Sequence, residues 1–363
     1  MRRAALSTLA LFATAGTVAT VAGAQPSPTP RLAPAVAPIA LDPITVAPSL
    51  AQALKNKRTF DASKVPLSHR GATPVLKVKS GRSYQLLPNN DPLPARLATT
   101  PVAPAEIEKL RPTFARWRPG VRPSFEFSDT PTNHIPTQTP IKDQGPRGTC
   151  VAFSNMAGME AFVKRHQNRT IDLSENHAFE LFMQVGNGVC DPDKGVGLKS
   201  MLTLQTHGVC AESLFPYTNA CPGSVPSACA NSNDRLRITG LFPLSFPDDP
   251  LANVFSADNT AVLEAIIHAG LDIEYSIKVA GSDWSDGTAE SGVIDVQVDG
   301  KGNPVGPYAN HGILLVGYNH AAGYFVFKNS WGADWGHSGY GHVSYDYIET
   351  YARYGYAITN VGH

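Results

Sequence analysis

The sequence predicts an α+β protein with two lobes, a helical lobe over about residues 141–235 and a β-rich lobe over about 236–363. The composition changes near residue 140, because 20 of the 30 prolines but only three of the 31 glycines lie between residues 25 and 140. After that point come apolar runs with helix caps, and from Leu236 onward come short strand-like runs bounded by turn residues. With 42% apolar residues, the 363-residue chain can bury a large core.

The first 24 residues have the pattern of a secretory signal peptide. Arg2 and Arg3 precede an uncharged stretch that ends in Ala22-Gly23-Ala24, a small-residue cleavage motif. The alternative is an uncleaved membrane anchor, but Thr, Ser and Gly dilute the stretch. We therefore expect secretion or a periplasmic location, with no stable membrane insertion once the signal is cleaved.

Residues 25–120 are predicted to form a proline-rich prosegment or spacer that is partly disordered. Residues 26–48 alternate Pro with Ala, Ser and Thr, which favours an extended, mobile chain. Beyond them the sequence offers only short candidates, helices at 51–57 and 103–111 and a strand at 74–78. We expect these to pack on another part of the chain rather than on one another.

The predicted elements of the two lobes follow from periodicity and end signals. In the helical lobe, a helix of about 15 residues begins at Cys150 with Thr149 as N-cap, and a second, capped within Asp172–Glu175, runs to Phe182. A third covers 198–206. The β-rich lobe has one helix at 259–268 and strands at 237–241, 273–279, 293–298, 311–318, 324–328 and 341–347.

Cys150 is a candidate nucleophile because of its place at a predicted helix start. Unpaired N–H groups and the positive end of the helix dipole favour the thiolate there. The alternative is a buried small apolar residue or half of a disulfide. Gln144, six residues upstream, strengthens the first interpretation, because an amide N–H beside a nucleophile can stabilise an oxyanion together with the backbone N–H of Cys150.

A predicted hairpin brings a base and its partner together. His311 begins one strand, residues 319–323 form the turn, and Asn329 follows the second strand. With the turn centred near Ala321, Asn329 lies opposite Ile313 and becomes a diagonal neighbour of His311. An amide oxygen can then hold one imidazole nitrogen while the other serves as base to a thiol.

The motifs around these residues resemble those of papain-like cysteine peptidases, and the chain looks like an exported member of bacterial type. The similar segments are 144–153, with the Gln to Cys spacing, then 310–318, and finally Lys328-Asn329-Ser330-Trp331-Gly332 with its Trp-Gly and Gly-Tyr tail at 335–341. The resemblance covers roughly residues 125–363. It implies an antiparallel β-barrel-like second lobe, with the active site in the cleft between the lobes.

The resemblance also implies roles for individual residues. Gln144 would be the oxyanion donor, Cys150 the nucleophile, His311 the general base and acid, and Asn329 the orienting amide. Substrate-binding positions would be Lys194, Gly195, Asn310, Gly312 and Trp331. Two residues depart from the family pattern: Arg147 stands where the family has a cysteine, so that disulfide is absent, and Val151 replaces a tryptophan.

The five cysteines fit an exported protein with two disulfides and one remaining thiol. Cys150 is the natural thiol, since it lies well ahead of the other four. Those four, Cys190, Cys210, Cys221 and Cys229, allow three pairings that the sequence does not separate. Their spacing does not indicate a zinc site.

The predicted function is hydrolysis of peptide bonds in proteins or peptides through an acyl-enzyme, by a monomer that needs no cofactor. The equal numbers of basic and acidic residues, 30 of each, do not suggest a nucleic-acid partner. Residues 25–120 are expected to act as an intramolecular inhibitor, or else as a spacer. Two rival functions are an acyl transferase on the same fold and a catalytically silent binding protein.

Overall fold

The computed structural model describes residues 57–70, 73–89, 132–185, 201, 203–244, 257–286 and 293–363. The predicted signal peptide, the proline-rich stretch 26–48 and the predicted helix at 103–111 lie outside these ranges. So do Cys190, Lys194, Gly195 and nearly all of the predicted helix at 51–57. Within the described residues, no helix combines the length and the apolar character needed to cross a bilayer.

The larger of two sheets is an eight-stranded antiparallel sheet that forms the β-rich lobe. Its main path runs β10-β9-β8-β7-β11-β6, and the two short strands β4 and β5 both pair with β8. The strands are β4 (Leu87–Pro88), β5 (Thr132–Asn133), β6 (Arg237–Leu244), β7 (Ile273–Val279), β8 (Ala309–Asn319), β9 (Tyr324–Lys328), β10 (Tyr340–Ser344) and β11 (Ala352–Gly362).

The central strands are buried along almost their whole length. β7, β8 and β9 each have nearly every residue buried, so both faces of the sheet are covered there. The sequence prediction is confirmed without change for β7 and β9, and β6 and β8 extend beyond their predicted ends. Continuous apolar runs bounded by turn residues made these strands recognisable.

Three parts of the β-rich lobe differ from the prediction. Residues 293–298 form isolated bridges at Ile294 and Val298 instead of a strand. The predicted strand 341–347 ends at Ser344, whose Oγ accepts from the N–H of Tyr347 and caps a helix that begins at Tyr345. β11 was not predicted, because its almost fully buried residues show no alternation of apolar and polar side chains.

Seven α-helices occur in the described part of the chain. They are α1 (Cys150–Gln167), α2 (Glu175–Val185), α3 (Thr203–Thr206), α4 (Ser227–Ala230), α5 (Thr260–His268), α6 (Asp283–Asp286) and α7 (Tyr345–Tyr351). Helix α1 lies against β7, β8 and β11, so it joins the helical lobe to the sheet.

Helix α1 begins at Cys150 as predicted and is 18 residues long. Its end matches the polar run Lys164-Arg165-His166, and Asn168 follows in the left-handed conformation. Thr149 is the N-cap residue, as predicted, but its side chain does not make the capping hydrogen bond that the prediction implied. Its hydroxyl lies 2.8 Å from the Tyr217 hydroxyl instead.

The rest of the helical lobe is held by one capped helix and by disulfides. Ser174 Oγ accepts from the N–H of His177 and so caps α2, which confirms the predicted helix start. Of the three possible pairings, the structure contains Cys210–Cys229, and Cys221 is also disulfide-bonded. Cys150 keeps its thiol.

Residues 57–70 and 73–89, called here the covering segment, form a small sheet of their own. Strands β1 (Leu67–Arg70), β2 (Thr73–Lys77) and β3 (Ser83–Gln85) pair antiparallel in that order. The predicted strand at 74–78 is therefore present as β2, and its partners β1 and β3 were not predicted. The predicted helices at 51–57 and 103–111 lie almost entirely outside the described residues, so the expectation that the three candidates do not pack on one another stays a prediction. Leu76 and Tyr84 are fully buried in the main core, so the segment shares that core.

Candidate active site

Cys150 is the first residue of α1 and is completely buried. The loop before it turns at Gly145, whose φ of +57° suits glycine, and Asp143 Oδ1 accepts from the Gly145 N–H. No acidic residue lies in the first turn of α1. The thiol therefore stands at the positive end of an 18-residue helix, where the field favours a thiolate.

The hairpin β8–β9 brings His311 and Asn329 together. Next to the turn Asn319 pairs with Tyr324, and a bulge between Leu315 and Gly317 then shifts the register, so that Leu314 pairs with Lys328. Asn329 thereby comes level with Ile313, as the predicted register requires. Its Oδ1 lies 2.8 Å from His311 Nε2.

The second ring nitrogen of His311, Nδ1, takes no part in the bond to Asn329. His311 Nδ1 is buried and has no hydrogen-bond partner among the described residues. Gly312, next to His311, packs against Val151, next to Cys150, since a Cβ added to Gly312 would lie 3.3 Å from the Cα of Val151. The start of α1 and the His311 part of β8 thus lie against each other.

Two tryptophans surround His311. The Trp331 ring lies 4.7 Å from the imidazole centroid, and the Trp284 ring lies 5.8 Å away, edge to face. Burial lowers the pKa of His311 to about 4, against the opposite effect of its bond to Asn329. The imidazole is consequently neutral at neutral pH in this structure.

Gln144 is held from both ends of its side-chain amide. Its Oε1 accepts from Ser330 Oγ at 2.6 Å, and its Nε2 donates to the Arg147 carbonyl at 2.8 Å. Nε2 also lies 3.4 Å from the carbonyl oxygen of Gln85 in the covering segment. One N–H therefore orients the amide while the other points to a carbonyl oxygen, which is the arrangement that an oxyanion donor needs.

Sequence reasoning assigned no role to two residues that support this arrangement. Ser330 N–H donates to Asn329 Oδ1, and Ser330 Oγ donates to Gln144, so one serine connects the two amides. Tyr217 donates its hydroxyl to the Gln144 carbonyl at 2.6 Å. Ser330 stood within a recognised motif and could have been singled out, and Tyr217 ends the segment Phe215-Pro216-Tyr217, which carries a weaker resemblance to the family.

Three of the predicted substrate-binding residues lie in the described part of the chain. They face the covering segment or the interface between the two lobes. Asn310 pairs with Leu87, and its Nδ2 donates to the Pro88 carbonyl at 2.7 Å. Trp331 stacks on Tyr84 with ring centroids 5.1 Å apart. Gly312 lies in the contact between β8 and α1.

A buried ionic cluster lies on the inner side of the site. Lys142 Nζ contacts Glu160 at 3.1 Å and Glu175 at 2.7 Å, and both carboxylates are almost fully buried. Lys328, the residue before Asn329, donates to the Thr139 carbonyl, and burial lowers its pKa to about 8. The cluster connects the loop before Cys150 with α1 and α2.

One group in the described chain has the composition of a metal site, namely His177, Cys210 and Cys229. Its two cysteines form a disulfide, so neither offers a thiolate. The group therefore does not fit a metal ion.

A cysteine at a helix start, packed against a strand histidine that an amide holds, defines the class of two-lobe cysteine peptidases. The sequence profile described as papain family cysteine protease matches residues 126–358, and the chain belongs to that family. Its fold is the papain-like α+β fold, with a helical lobe and a lobe built on an antiparallel sheet.

Two curated relatives illustrate the similarity. The chain is 28% identical over 212 residues to vignain of Vigna mungo, covering 56% of this chain and 50% of vignain. It is 30% identical over 207 residues to cysteine proteinase 2 of Entamoeba histolytica, covering 56% of this chain and 58% of that protein. The chain thus spans about half the length of the curated relatives it matches.

Two solved structures share the fold. Xylellain, a cysteine protease from Xylella fastidiosa, has a TM-score of 0.50 at 20% identity, covering 67% of this chain and 94% of xylellain. The proform of the ragweed pollen cysteine protease Amb a 11 has a TM-score of 0.50 at 19% identity, covering 67% and 70%.

Proposed function

We propose that the protein is an exported thiol peptidase of bacterial type that is made as a zymogen. One observation carries the proposal: Asn329 holds His311 Nε2, while Nδ1 remains buried beside the start of the helix that carries Cys150. An imidazole so arranged is oriented to exchange a proton with a thiol. Its substrates are proteins or peptides, and the enzyme acts as a monomer without a cofactor.

The reaction proceeds through an acyl-enzyme. The Cys150 thiolate attacks the peptide carbonyl carbon, and Gln144 Nε2–H and the Cys150 N–H stabilise the negative oxygen. His311, which has taken the thiol proton, gives it to the leaving amine as the C–N bond breaks. Water, losing a proton to His311, then hydrolyses the thioester and restores the thiol.

The covering segment supports the zymogen part of the proposal. Tyr84 stacks on Trp331 and donates its hydroxyl to the Trp331 carbonyl at 2.7 Å. The next residue, Gln85, places its carbonyl oxygen near the Gln144 amide, and Leu87 pairs with Asn310. A peptide substrate must displace these residues before its carbonyl can reach Gln144.

Ion pairs and backbone bonds anchor the start of the covering segment to the β-rich lobe. Lys57, almost fully buried, contacts Asp295 at 2.7 Å and Asp346 at 2.8 Å. Arg58 pairs with Asp283, and the N–H of Phe60 donates to the Val298 carbonyl. These anchors hold the segment at one end while residues 84–88 cross the site.

We assign residues 1–24 to a signal peptide, 25–120 to a prosegment that is cut away on maturation, and 121–363 to the peptidase domain. The test compares the full exported protein with a form beginning near Arg118 on a fluorogenic peptide library, with Cys150→Ala in both forms. We expect the shortened form to be active, the full form to be at least about tenfold slower until processed, and both alanine variants to be inactive.

Equal activity of the two forms, with residue 25 still at the N-terminus of the secreted enzyme, would leave only the spacer interpretation.

A substitution within the segment sharpens the comparison. Tyr84→Ala removes the stack on Trp331 and should raise the activity of the full-length protein, whereas His69→Ala, exposed on β1, should not. Products analysed with an added amine would reveal transfer in place of hydrolysis.

A further inference from the structure

Arg147, three residues before Cys150, is a buried cation with 1% of its surface exposed. Its Nη1 donates to Asn176 Oδ1 and to the Thr218 carbonyl, both at 2.7 Å. Asn176 lies in the first turn of α2, and Thr218 lies in the loop after Cys210. The guanidinium therefore connects the loop before the nucleophile with two separate parts of the helical lobe.

Two aromatic rings enclose the same guanidinium. It lies 5.0 Å from the Phe179 ring centroid and 5.3 Å from that of Tyr217. Cation–π contacts of this kind are stronger in a buried site than at the surface. The planar, multiply donating group thus has a defined orientation that a flexible ammonium could not adopt in the same way.

The residues of this arrangement converge on Gln144. The carbonyl of Arg147 accepts from Gln144 Nε2 at 2.8 Å. The hydroxyl of Tyr217 donates to the Gln144 carbonyl at 2.6 Å and lies 2.8 Å from Thr149 Oγ1. Tyr217 also packs edge to face on Phe153 in the first turn of α1. Tyr217 thus fixes the backbone carbonyl of Gln144, and Arg147 fixes its side-chain amide.

We propose that Arg147 and Tyr217 are positioning residues for acyl transfer, which hold the second N–H of the Gln144 amide toward the substrate carbonyl. The proposal rests on the proposed peptidase function. Where the resemblance placed a cysteine, this chain has an arginine whose side chain binds Asn176 of α2 and the Thr218 carbonyl, and whose backbone carbonyl accepts from Gln144.

Burial of the arginine supports a specific role. Removing a charged group from water costs free energy, and a packed apolar side chain in its place is often equally stable or more stable. Within the described part of the chain, the hydrogen bonds to Asn176 and Thr218 and the contacts with the Phe179 and Tyr217 rings set a direction as well as fill space. Such directional contacts matter most where a donor must be held within a fraction of an ångström.

The test is a double-mutant cycle on kcat in the processed enzyme. Arg147→Ala should lower kcat about tenfold to a hundredfold, with KM changed less than about threefold, because only transition-state stabilisation is lost. In a Gln144→Ala background the same substitution should lower kcat by no more than about threefold. The kcat of Arg147→Lys should lie between those of Arg147→Ala and the wild type.

The matched control is Arg353→Ala. Arg353 is also buried, lies 5.3 Å from the Tyr354 ring centroid and bonds Ser276 of β7, so neither of these contacts is to Gln144 or to the loop before Cys150. The Arg353→Ala variant should be less stable than the wild type but keep its kcat. If Arg147→Ala fails to fold, Tyr217→Phe replaces it in the cycle, since it deletes only the hydroxyl that bonds Gln144 and Thr149.

Additive losses in the cycle, an effect on KM alone, or an equal loss of kcat in Arg353→Ala would overturn the positioning role while leaving the peptidase function intact. A processed wild-type enzyme that hydrolyses no peptide would instead overturn the proposed function. The two failures are therefore separate.

Discussion

At the scale of single residues, each candidate reacting group is held through an atom that the reaction does not need. His311 is held at Nε2 by Asn329, and Gln144 is held at Oε1 by Ser330. The buried Nδ1 of His311 and the second N–H of Gln144, which faces the Gln85 carbonyl, are the atoms that the proposed reaction would use. Pre-oriented groups of this kind need no reorganisation as charge develops.

Cys150→Ala should abolish peptide hydrolysis and leave the fold intact, because one small residue replaces another at the start of α1. The measurement is turnover of a fluorogenic peptide by the processed form, together with the circular dichroism spectrum and the unfolding midpoint. Residual activity well above background would remove Cys150 from the mechanism.

Gln144→Ala should lower kcat about a hundredfold with little change in KM, the usual effect of deleting one oxyanion donor. Steady-state kinetics of the processed enzyme measures both constants. Ser330→Ala serves as comparison: it removes only the support of the amide, so its loss should be smaller. An unchanged kcat in Gln144→Ala would contradict the assignment.

At the scale of secondary-structure elements, the ionic cluster joins three pieces of chain that meet behind the site. Lys142 precedes the Cys150 loop, Glu160 lies in α1 and Glu175 begins α2. Burial raises the pKa of Glu175 to about 8, although the Lys142 charge acts in the opposite direction. The Lys142 cation thus partly offsets the effect of burial on Glu175.

Lys142→Ala should therefore destabilise the protein by about 3 kcal/mol, since it leaves buried carboxylates without their cation. Chemical denaturation of the processed form gives the free energy of unfolding. Lys301→Ala, at an exposed turn, is the control and should change it by less than about 0.5 kcal/mol. Equal stability of the two variants would show that the cluster adds nothing.

At the scale of the whole molecule, we expect the covering segment and the site to be coupled through the burial of His311, because Tyr84 stacks on Trp331 and Trp331 packs on the imidazole. In the covered form burial lowers its pKa to about 4, against an ordinary value of 6.5. We expect removal of the segment to admit water to the ring and so to raise the pKa of His311 toward its ordinary value. As pH falls from 6.5 to 4, only the uncovered form takes up the proton, and the covered form loses stability relative to it.

The covering segment should consequently loosen on acidification, by at most about 3 kcal/mol from His311 alone. Hydrogen exchange of residues 84–87 in the full-length Cys150→Ala protein, corrected for intrinsic rates, measures this. We expect faster exchange at pH 5 than at pH 7, and a smaller difference when His311 is also changed to Gln. Exchange that is independent of pH would contradict the coupling.

The parts of this protein that are local in the chain could be predicted from the amino-acid sequence. The start of α1 at Cys150 follows from a glycine-rich loop before an apolar run, and the His311 to Asn329 bond spans only 18 residues of one hairpin. Contacts of that range follow from turn position and strand alternation, which are readable from residue types. The same features carried the resemblance that led to the family.

Contacts between distant segments could not be predicted in this way and are visible only in the folded chain. Ser330 bonds Gln144 across 186 residues, and Gln85 reaches Gln144 across 59. The small sheet of the covering segment, the bridges at 293–298 and the helix after Ser344 likewise depend on neighbours far away in the chain. The physical reason is that burial and pairing with remote segments outweigh local preference there, and a single sequence carries no periodic signal of such partners.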